Sequence, residues 1–536
     1  MMKKAIKKLL AALLAVAMVC AMAIPAFAGN YWETEEDLGT NHCYDAFQIF
    51  DGVVSDDNTI SNVGWGSSIA HPNEFLAQLT EDLTIGDKFE TSFTPQEAAA
   101  VISQWSDSDN NSIAFARCVC NYVYSDRDST PVLQGGHTNG FKLEKAGYYL
   151  IVDTSSFSSD ANNDSYHAYN SFLLKVNKAN YHVQITPKVV KPTVEKKVYD
   201  NDDNSTSDDN NGWGSSADHA INEEFKFRLI AKLPASEGRA YDYYKKYTVC
   251  FNDTLSEGIT FDKLDTVEIT NGDGGASQVI DAANYTRTPN GSQFFKLSID
   301  DVKTCAEGLD LNKGATITVT YTAHLNDKAY VNTGSGSTEN KNSVRLQYSN
   351  NPRPDGEYWG YTPNYTPESE VYVYTYQLNN TKRAETENGT PLPGAGFKLY
   401  SDKAYEHEVK LYKEGNFYYP IKNALDKTPV EMKSADDGTF NVRGLDAGTY
   451  YLKETTTPAD FTPCSVIPPV TITANHTKDY VDLSGNLSTT IINKKAGGIT
   501  LPSTGGIGTT LFYVVGGGLM VAAIVLLVTK KRMENK

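Results

Sequence analysis

Between its two ends, the 536-residue chain has no apolar run long enough to cross a bilayer, and only 21% of its residues are charged. The first shortage excludes a multipass membrane protein; the second, with no heptad pattern, excludes a coiled coil. Its 40 glycines follow no triplet period, so it is not collagen-like. The nine histidines are scattered, and GxSxG, HExxH and phosphate-loop patterns are all missing. Cys118-Val119-Cys120 has no companion pair at zinc spacing. Basic residues are short too: 48 Lys+Arg face 66 Asp+Glu. Residues 1–28 and 505–536 hold eight basic residues and one acidic, so the 476 between them carry 40 against 65, a net charge of -25. A chain this acidic repels a phosphate backbone, which argues against a nucleic-acid partner.

What is present at the ends sets the compartment. Residues 1–28 begin with Lys3, Lys4, Lys7 and Lys8, continue as an apolar core and close on Ala26 and Ala28. This is the pattern of a secretory signal peptide cut after Ala28. At the other end Leu501, Pro502, Ser503, Thr504 and Gly505 precede an apolar segment, 510–529, and a basic tail. Twenty such residues are enough for a transmembrane helix with the tail in the cytoplasm. Pro502 holds the local backbone extended, so the Thr504–Gly505 peptide can enter a narrow protease cleft. Motif, apolar span and tail in this order resemble the cell-wall sorting signal of Gram-positive surface proteins. The resemblance implies cleavage between Thr504 and Gly505 by a sortase, with the threonyl carboxyl passed to an amine.

The exported part reads as strands punctuated by turns, such as residues 224–233, 315–325, 343–348, 448–455 and 470–476. One exception is Thr94-Pro95-Gln96-Glu97, a capping box with proline at the first helical position, which predicts a helix over 95–105. Residues 113–124 fit a second helix or a strand. The expected fold is all-β: tandem immunoglobulin-like sandwiches with a helical insertion in the N-terminal domain. The expected division is an N-terminal domain over 29–188, a middle domain over 189–377, a C-terminal domain over 378–500 and the sorting signal over 501–536.

The segments 391–400, 445–461 and 491–506 resemble the B-type repeat of collagen-binding adhesins, also found in Gram-positive pilins. That family often forms an internal amide between a lysine on the first strand and an asparagine on the last, assisted by a glutamate. Residue by residue, the resemblance implies Lys382, Asn493 and Glu454. The chemistry asks for a buried site, since burial lowers a lysine pKa and raises that of a carboxylic acid. A protonated Glu454 would then polarise the Asn493 carbonyl and relay protons as ammonia leaves. In the middle domain, alternation places Lys196 on one strand face with Val194 and Val198. Asp253 likewise shares a face with Tyr247, Val249 and Phe251, and Asn350 with Val344, Leu346 and Tyr348. A lysine, an acid and an asparagine on apolar faces are the groups the same chemistry needs; a bulge would substitute Asn351 for Asn350. This region also resembles the isopeptide-forming second domain of fimbrial subunits, through residues 253–261 and 346–352.

Residues 181–192 resemble the pilin motif, although the upstream tryptophan is missing and Thr186 stands where a tyrosine is usual. The resemblance implies that Lys188 is the amine that receives Thr504 of another subunit, with Lys191 as the positional rival. The whole pattern resembles the backbone subunit of a sortase-assembled pilus, and the alternative is a monomeric wall-anchored adhesin or minor pilus subunit. Implied partners are a pilin-type and a housekeeping sortase, identical subunits, minor pilins, peptidoglycan and, for an adhesive shaft, a host or matrix ligand. No enzyme activity, cofactor or metal is expected, and the acidic run 200–211 reads as a solvated loop. Export permits disulfides, with Cys43 to Cys118 or Cys120 and Cys250 to Cys305 as the pairings within domains.

Overall fold

The computed structural model describes residues 42–497 except 55–59, 107–108, 138–139, 156–170, 177–180, 184–190, 201–210, 237–238, 290–292, 339, 353–363 and 424–425, together with 516, 519–528 and 530–531. The signal peptide and the pentapeptide Leu501–Gly505 lie outside the described residues. Of the expected span 510–529, residues 519–528 are helical and expose Leu519, Val521, Ile524 and Leu527. Among the described residues no helix is long and apolar enough to cross a membrane.

The architecture is mostly β, with one helical insertion near the N-terminus. There, the long strand Cys43–Val54 sits between Ile60–Trp65 and Gly147–Asp153, with Ser171–Val176 beyond and Leu133–His137 pairing its first residues. Three helices, Pro72–Glu81, Pro95–Ile102 and Asn110–Ser125, pack on this sheet through Phe75, Leu79, Ile102, Phe115 and Val119. The expected capping box is formed: the Glu97 N–H donates to Thr94 Oγ1 at 3.2 Å, and the Thr94 N–H donates to Glu97 Oε2 at 2.9 Å. The ambiguous run 113–124 is helix, begun by Asp109, whose carboxylate accepts from the Asn111 N–H at 2.9 Å. Its apolar residues are buried nearly all the way round, which removes the one-sided period that would have marked it as a helix. The run 141–153 divides, with Phe141–Leu143 pairing Tyr181–Val183 in a separate ribbon.

The middle strands form two six-stranded sheets enclosing one core. In one, Lys341–Tyr348 lies between Ser369–Tyr374 and Val249–Leu255; in the other, Glu224–Leu233 lies between Ala315–Leu325 and Thr193–Tyr199. Alternation explains the burial: Phe225, Phe227, Leu229, Ala231 and Leu233 point inward while Lys226 and Lys232 face solvent. A third pair of sheets follows directly after Tyr374. Its strand Tyr376–Ala384 lies between Val442–Leu445 and the last strand, Ser488–Asn493, and runs parallel to the latter. Among the described residues no disulfide is formed. The pairings that export would permit are thus not formed among these residues; burial pushes the Cys250 and Cys305 thiols up to about 11.

One glycine fixes the strand that carries Lys382. Gly438 has φ +84°, and a Cβ there would meet the Lys382 carbonyl oxygen at 2.5 Å. Its own carbonyl accepts from the Lys382 N–H at 2.7 Å. Gly438→Ala is expected to cost roughly 1–3 kcal/mol through backbone strain and strand displacement. Denaturant unfolding checks this, and an unchanged midpoint would show that the strand yields without penalty.

Candidate functional site

Two lysines lie wholly inside the β-cores, and each has an acid and an asparagine nearby. The parallel pairing of Tyr376–Ala384 with Ser488–Asn493 puts Lys382 opposite Ile491 and Ala384 opposite Asn493. From there the Lys382 ammonium donates to Asn493 Oδ1, with Glu454 Oε2 3.8 Å from the same nitrogen. Glu454 reaches the pair because its strand, Gly448–Thr456, runs beside Gly396–Tyr400, where it sits opposite Phe397. Its other oxygen accepts from Asn493 Nδ2 at 2.6 Å, and Oε2 also accepts from the Cys464 N–H at 2.8 Å. Phe397, stacked on Phe440 at 4.3 Å, lies with its ring centre 5.7 Å from the Lys382 nitrogen. Burial holds the Lys382 amine below the usual lysine range, against the opposing pull of the Glu454 charge.

All three residues expected from the sequence therefore meet at one point. A detail differs. Glu454 meets the Asn493 amide, as expected, but by accepting from its nitrogen, whereas polarising the carbonyl would need the carboxyl to donate to the oxygen. That places one carboxyl between the attacking nitrogen and the leaving nitrogen. A neutral Lys382 amine attacking Asn493 Cγ forms one C–N bond and breaks another. The proton lost by the amine can pass through Glu454 to the departing nitrogen, which leaves as ammonia.

The middle cluster is built differently. Lys196, on Thr193–Tyr199, is wholly buried; its ammonium donates to Asp253 Oδ2 and lies 3.1 Å from the Tyr321 hydroxyl. Rings of Phe227 and Tyr321 lie 5.2 and 5.4 Å from the amine. Burial pushes the Lys196 amine down to about 8, opposed by Asp253, and it raises the Asp253 carboxyl. Tyr321, on Ala315–Leu325, carries no sequence signal that marks it for this site. Its hydroxyl lies 3.3 Å from both Asp253 oxygens and accepts from Asn342 Nδ2 at 2.6 Å.

Asn342 therefore occupies the place expected for Asn350. The register pairs Asp253 with Val344 and Leu255 with Asn342, so Asn342 begins its strand at the level of the cluster. Asn350 lies six residues past Val344, about 20 Å along an extended chain, and Asn351 one further. Both are buried, but at the far end of the strand. Residues 342, 344, 346, 348 and 350 share one face, so alternation admitted all of them; only the cross-strand register separates the two asparagines. Asn342 Oδ1 and Asn350 Oδ1 are both buried without a hydrogen-bond partner, so the register and the Tyr321 contact, not the unpartnered oxygen, single out Asn342.

The remaining site residues are Lys188 and Thr504, which lie outside the described residues, as do Leu501, Pro502, Ser503 and Gly505. Lys191 is half-buried, and burial lowers its amine.

The middle cluster predicts which asparagine matters. Asn342→Ala should raise the intact mass of the folded protein by one ammonia, about 17 Da, after allowance for the substitution itself. Asn350→Ala should show no such increment. The reverse pattern in the mass spectrum would return the role to Asn350.

Comparison with known proteins places the C-terminal part of the chain. Residues 378–486 match the SpaA prealbumin-like fold domain, and residues 493–535 match the LPXTG cell wall anchor motif. No curated protein matches the chain. Among solved structures, the T6 backbone pilin of serotype M6 Streptococcus pyogenes is 15% identical, with 85% of this chain and 96% of that one covered at a TM-score of 0.47. The major pilin SpaD from Corynebacterium diphtheriae is 17% identical, with 85% and 93% covered and a TM-score of 0.40. BcpA, the major pilin subunit of Bacillus cereus, is 17% identical, with 69% and 93% covered and a TM-score of 0.38. The anchor motif implies a sortase and the cell wall as partners. The C-terminal part of this chain thus matches a prealbumin-like fold domain and runs into an LPXTG anchor motif, the mark of a surface protein covalently attached to the wall.

Proposed function

We propose that the protein is the backbone subunit of a covalent surface pilus. The observation that carries this reading is the pair of buried lysine clusters in a wall-anchored chain. Each cluster brings an early strand against a late one around a proton-carrying acid, an arrangement suited to load and of no evident use in binding a soluble ligand. In this reading the chain folds as three units divided near 188/189 and 377/378; Tyr374 and Tyr376 pack with the C-terminal core, while Tyr412, Tyr419 and Ile421 pack with the middle one. Lys382 joins Asn493 with Glu454 as proton carrier. Lys196 joins Asn342 with Asp253 in that role and Tyr321 holding the asparagine. The protein is then a substrate of sortases and not itself an enzyme.

Polymerisation uses a separate pair. A pilin-type sortase thiolate attacks the Thr504 carbonyl and expels the Gly505 amine with the segment behind it. The neutral Lys188 amine of another subunit then takes the acyl group and frees the thiolate. One donor near the C-terminus and one acceptor near the N-terminal side give a heterologous contact, which propagates a fibre instead of closing a dimer. A housekeeping sortase passes the last subunit to peptidoglycan, and minor pilins join by the same threonyl chemistry.

Two outcomes test the reading. Glu454→Ala should keep the C-terminal part at its unlinked mass and leave it readily cleaved by protease, because the proton carrier and the link vanish together. Lys188→Arg keeps a charge of similar reach but removes the nucleophile. Cells expressing it should lose the ladder of high-mass species that resists boiling in detergent, while monomer still reaches the wall through Thr504. An unchanged ladder would transfer the role to Lys191. No ladder from the unmutated protein would leave a single wall-anchored adhesin.

A further inference from the structure

A third buried cluster has no place in either lysine site. Asp200 follows Thr193–Tyr199, Asp218 ends Ser216–Asp218, and His476 ends Val470–His476, so the middle and C-terminal sheets meet here. All three residues are buried, and one ligand atom from each lies within 4.8 Å of the others. His476 Nε2 is 3.6 Å from Asp200 Oδ2 and 3.7 Å from Asp218 Oδ1. These separations exceed a hydrogen bond, which ends near 3.2 Å. They match the spacing of donors around a shared ion, since two ligands each about 2.1 Å from a tetrahedral centre stand about 3.4 Å apart.

A second observation points the same way. Asp218 is fully buried, and neither oxygen of its carboxylate has a hydrogen-bond partner. A carboxylate in that state is costly unless a cation compensates it. Asp200 is fixed by the Asp218 N–H, which donates to its Oδ2 at 3.0 Å. Behind the ring, His476 Nδ1 lies 2.8 Å from Ser216 Oγ, and Tyr374 stacks on the imidazole at 5.8 Å. With Nδ1–H donating to Ser216, the Nε2 lone pair faces the two carboxylates. This is the outer support that metal-ligating histidines commonly have.

We propose that Asp200, Asp218 and His476 hold a divalent transition metal of the zinc class between the middle and C-terminal sheets. One imidazole and two carboxylates suit zinc, with water as a fourth ligand. Calcium is disfavoured, because it asks for six to eight oxygens where this site supplies two carboxylates and a nitrogen. The metal clamps the junction at which Tyr374 leads from one pair of sheets to the next. Unlike an amide, that clamp opens when a chelator removes the ion.

The test is equilibrium dialysis of the chelator-treated full chain against zinc chloride, with metal measured by mass spectrometry, and a parallel cobalt(II) titration. The expected result is about one zinc per chain and the visible absorption of a four-coordinate cobalt site. His476→Ala and Asp218→Asn should each weaken binding by about a hundredfold or more. His71→Ala, which breaks the exposed His71–Asp126–Asp128 group, should leave the stoichiometry unchanged. Absence of zinc retention and of a cobalt band in the unmutated protein overturns the proposal whether or not the variants fold. So does binding that survives both buried substitutions or disappears with His71→Ala.

Discussion

An ammonium ion taken out of water must find a counter-charge, lose its proton or react, and two lysines here are placed where that choice is forced. Lys382 and Lys196 are buried among aromatic rings with one carboxyl each. The desolvation that makes them poor cations makes them better nucleophiles, since the neutral amine is the form the surroundings favour. The surrounding sheets hold each amine against an amide: Asn493 by the parallel pairing of first and last strands, Asn342 through the hydroxyl of Tyr321. The apolar packing is thus part of the chemistry, because the same Phe397 and Phe227 rings that exclude water also keep the amine from being solvated.

The two clusters reach similar ends by different supports. Glu454 hydrogen-bonds the Asn493 nitrogen and stands 3.8 Å from the Lys382 nitrogen, and the Cys464 N–H fixes its orientation. Asp253 lies against its lysine, with the Tyr321 hydroxyl between it and the asparagine. A phenol in that position orients the amide and shields it from water. Burial raises the Tyr321 phenol well above its usual range, so it remains a neutral hydrogen-bonding group.

How far the sequence could be read depended on what each residue signalled locally. Lys382, Glu454 and Asn493 were legible because they sit in text with a recognisable family pattern and at strand positions whose neighbours are apolar. Lys196 and Asp253 were legible from alternation alone. Asn342 was not, because a period of two assigns a face and says nothing about position along the strand, which the partner strand decides. The helix Pro72–Glu81 escaped notice for a related reason. His71 provides no side-chain cap, so Pro72 and Glu74 are the start signals that remain, without the capping box that marks the helix at Pro95. The junction cluster was out of reach entirely: Asp218 and His476 are 258 positions apart in sequence, and no local pattern connects them.

The parallel pairing of Tyr376–Ala384 with Ser488–Asn493 has a mechanical consequence. A pull on the chain enters at the start of the first strand and leaves at the end of the last, so the two slide in shear and their hydrogen bonds share the load at once. With Lys382 joined to Asn493, the force path runs along the first strand only to residue 382, crosses the amide and leaves. The 111 positions that separate the two residues drop out of that path. Unfolded, such a loop would lengthen the chain by roughly 370 Å at the 3.3–3.6 Å an extended residue spans. Short-circuited, that length would never be released, and the linked chain would respond to tension as a stiff rod instead of a reservoir of slack.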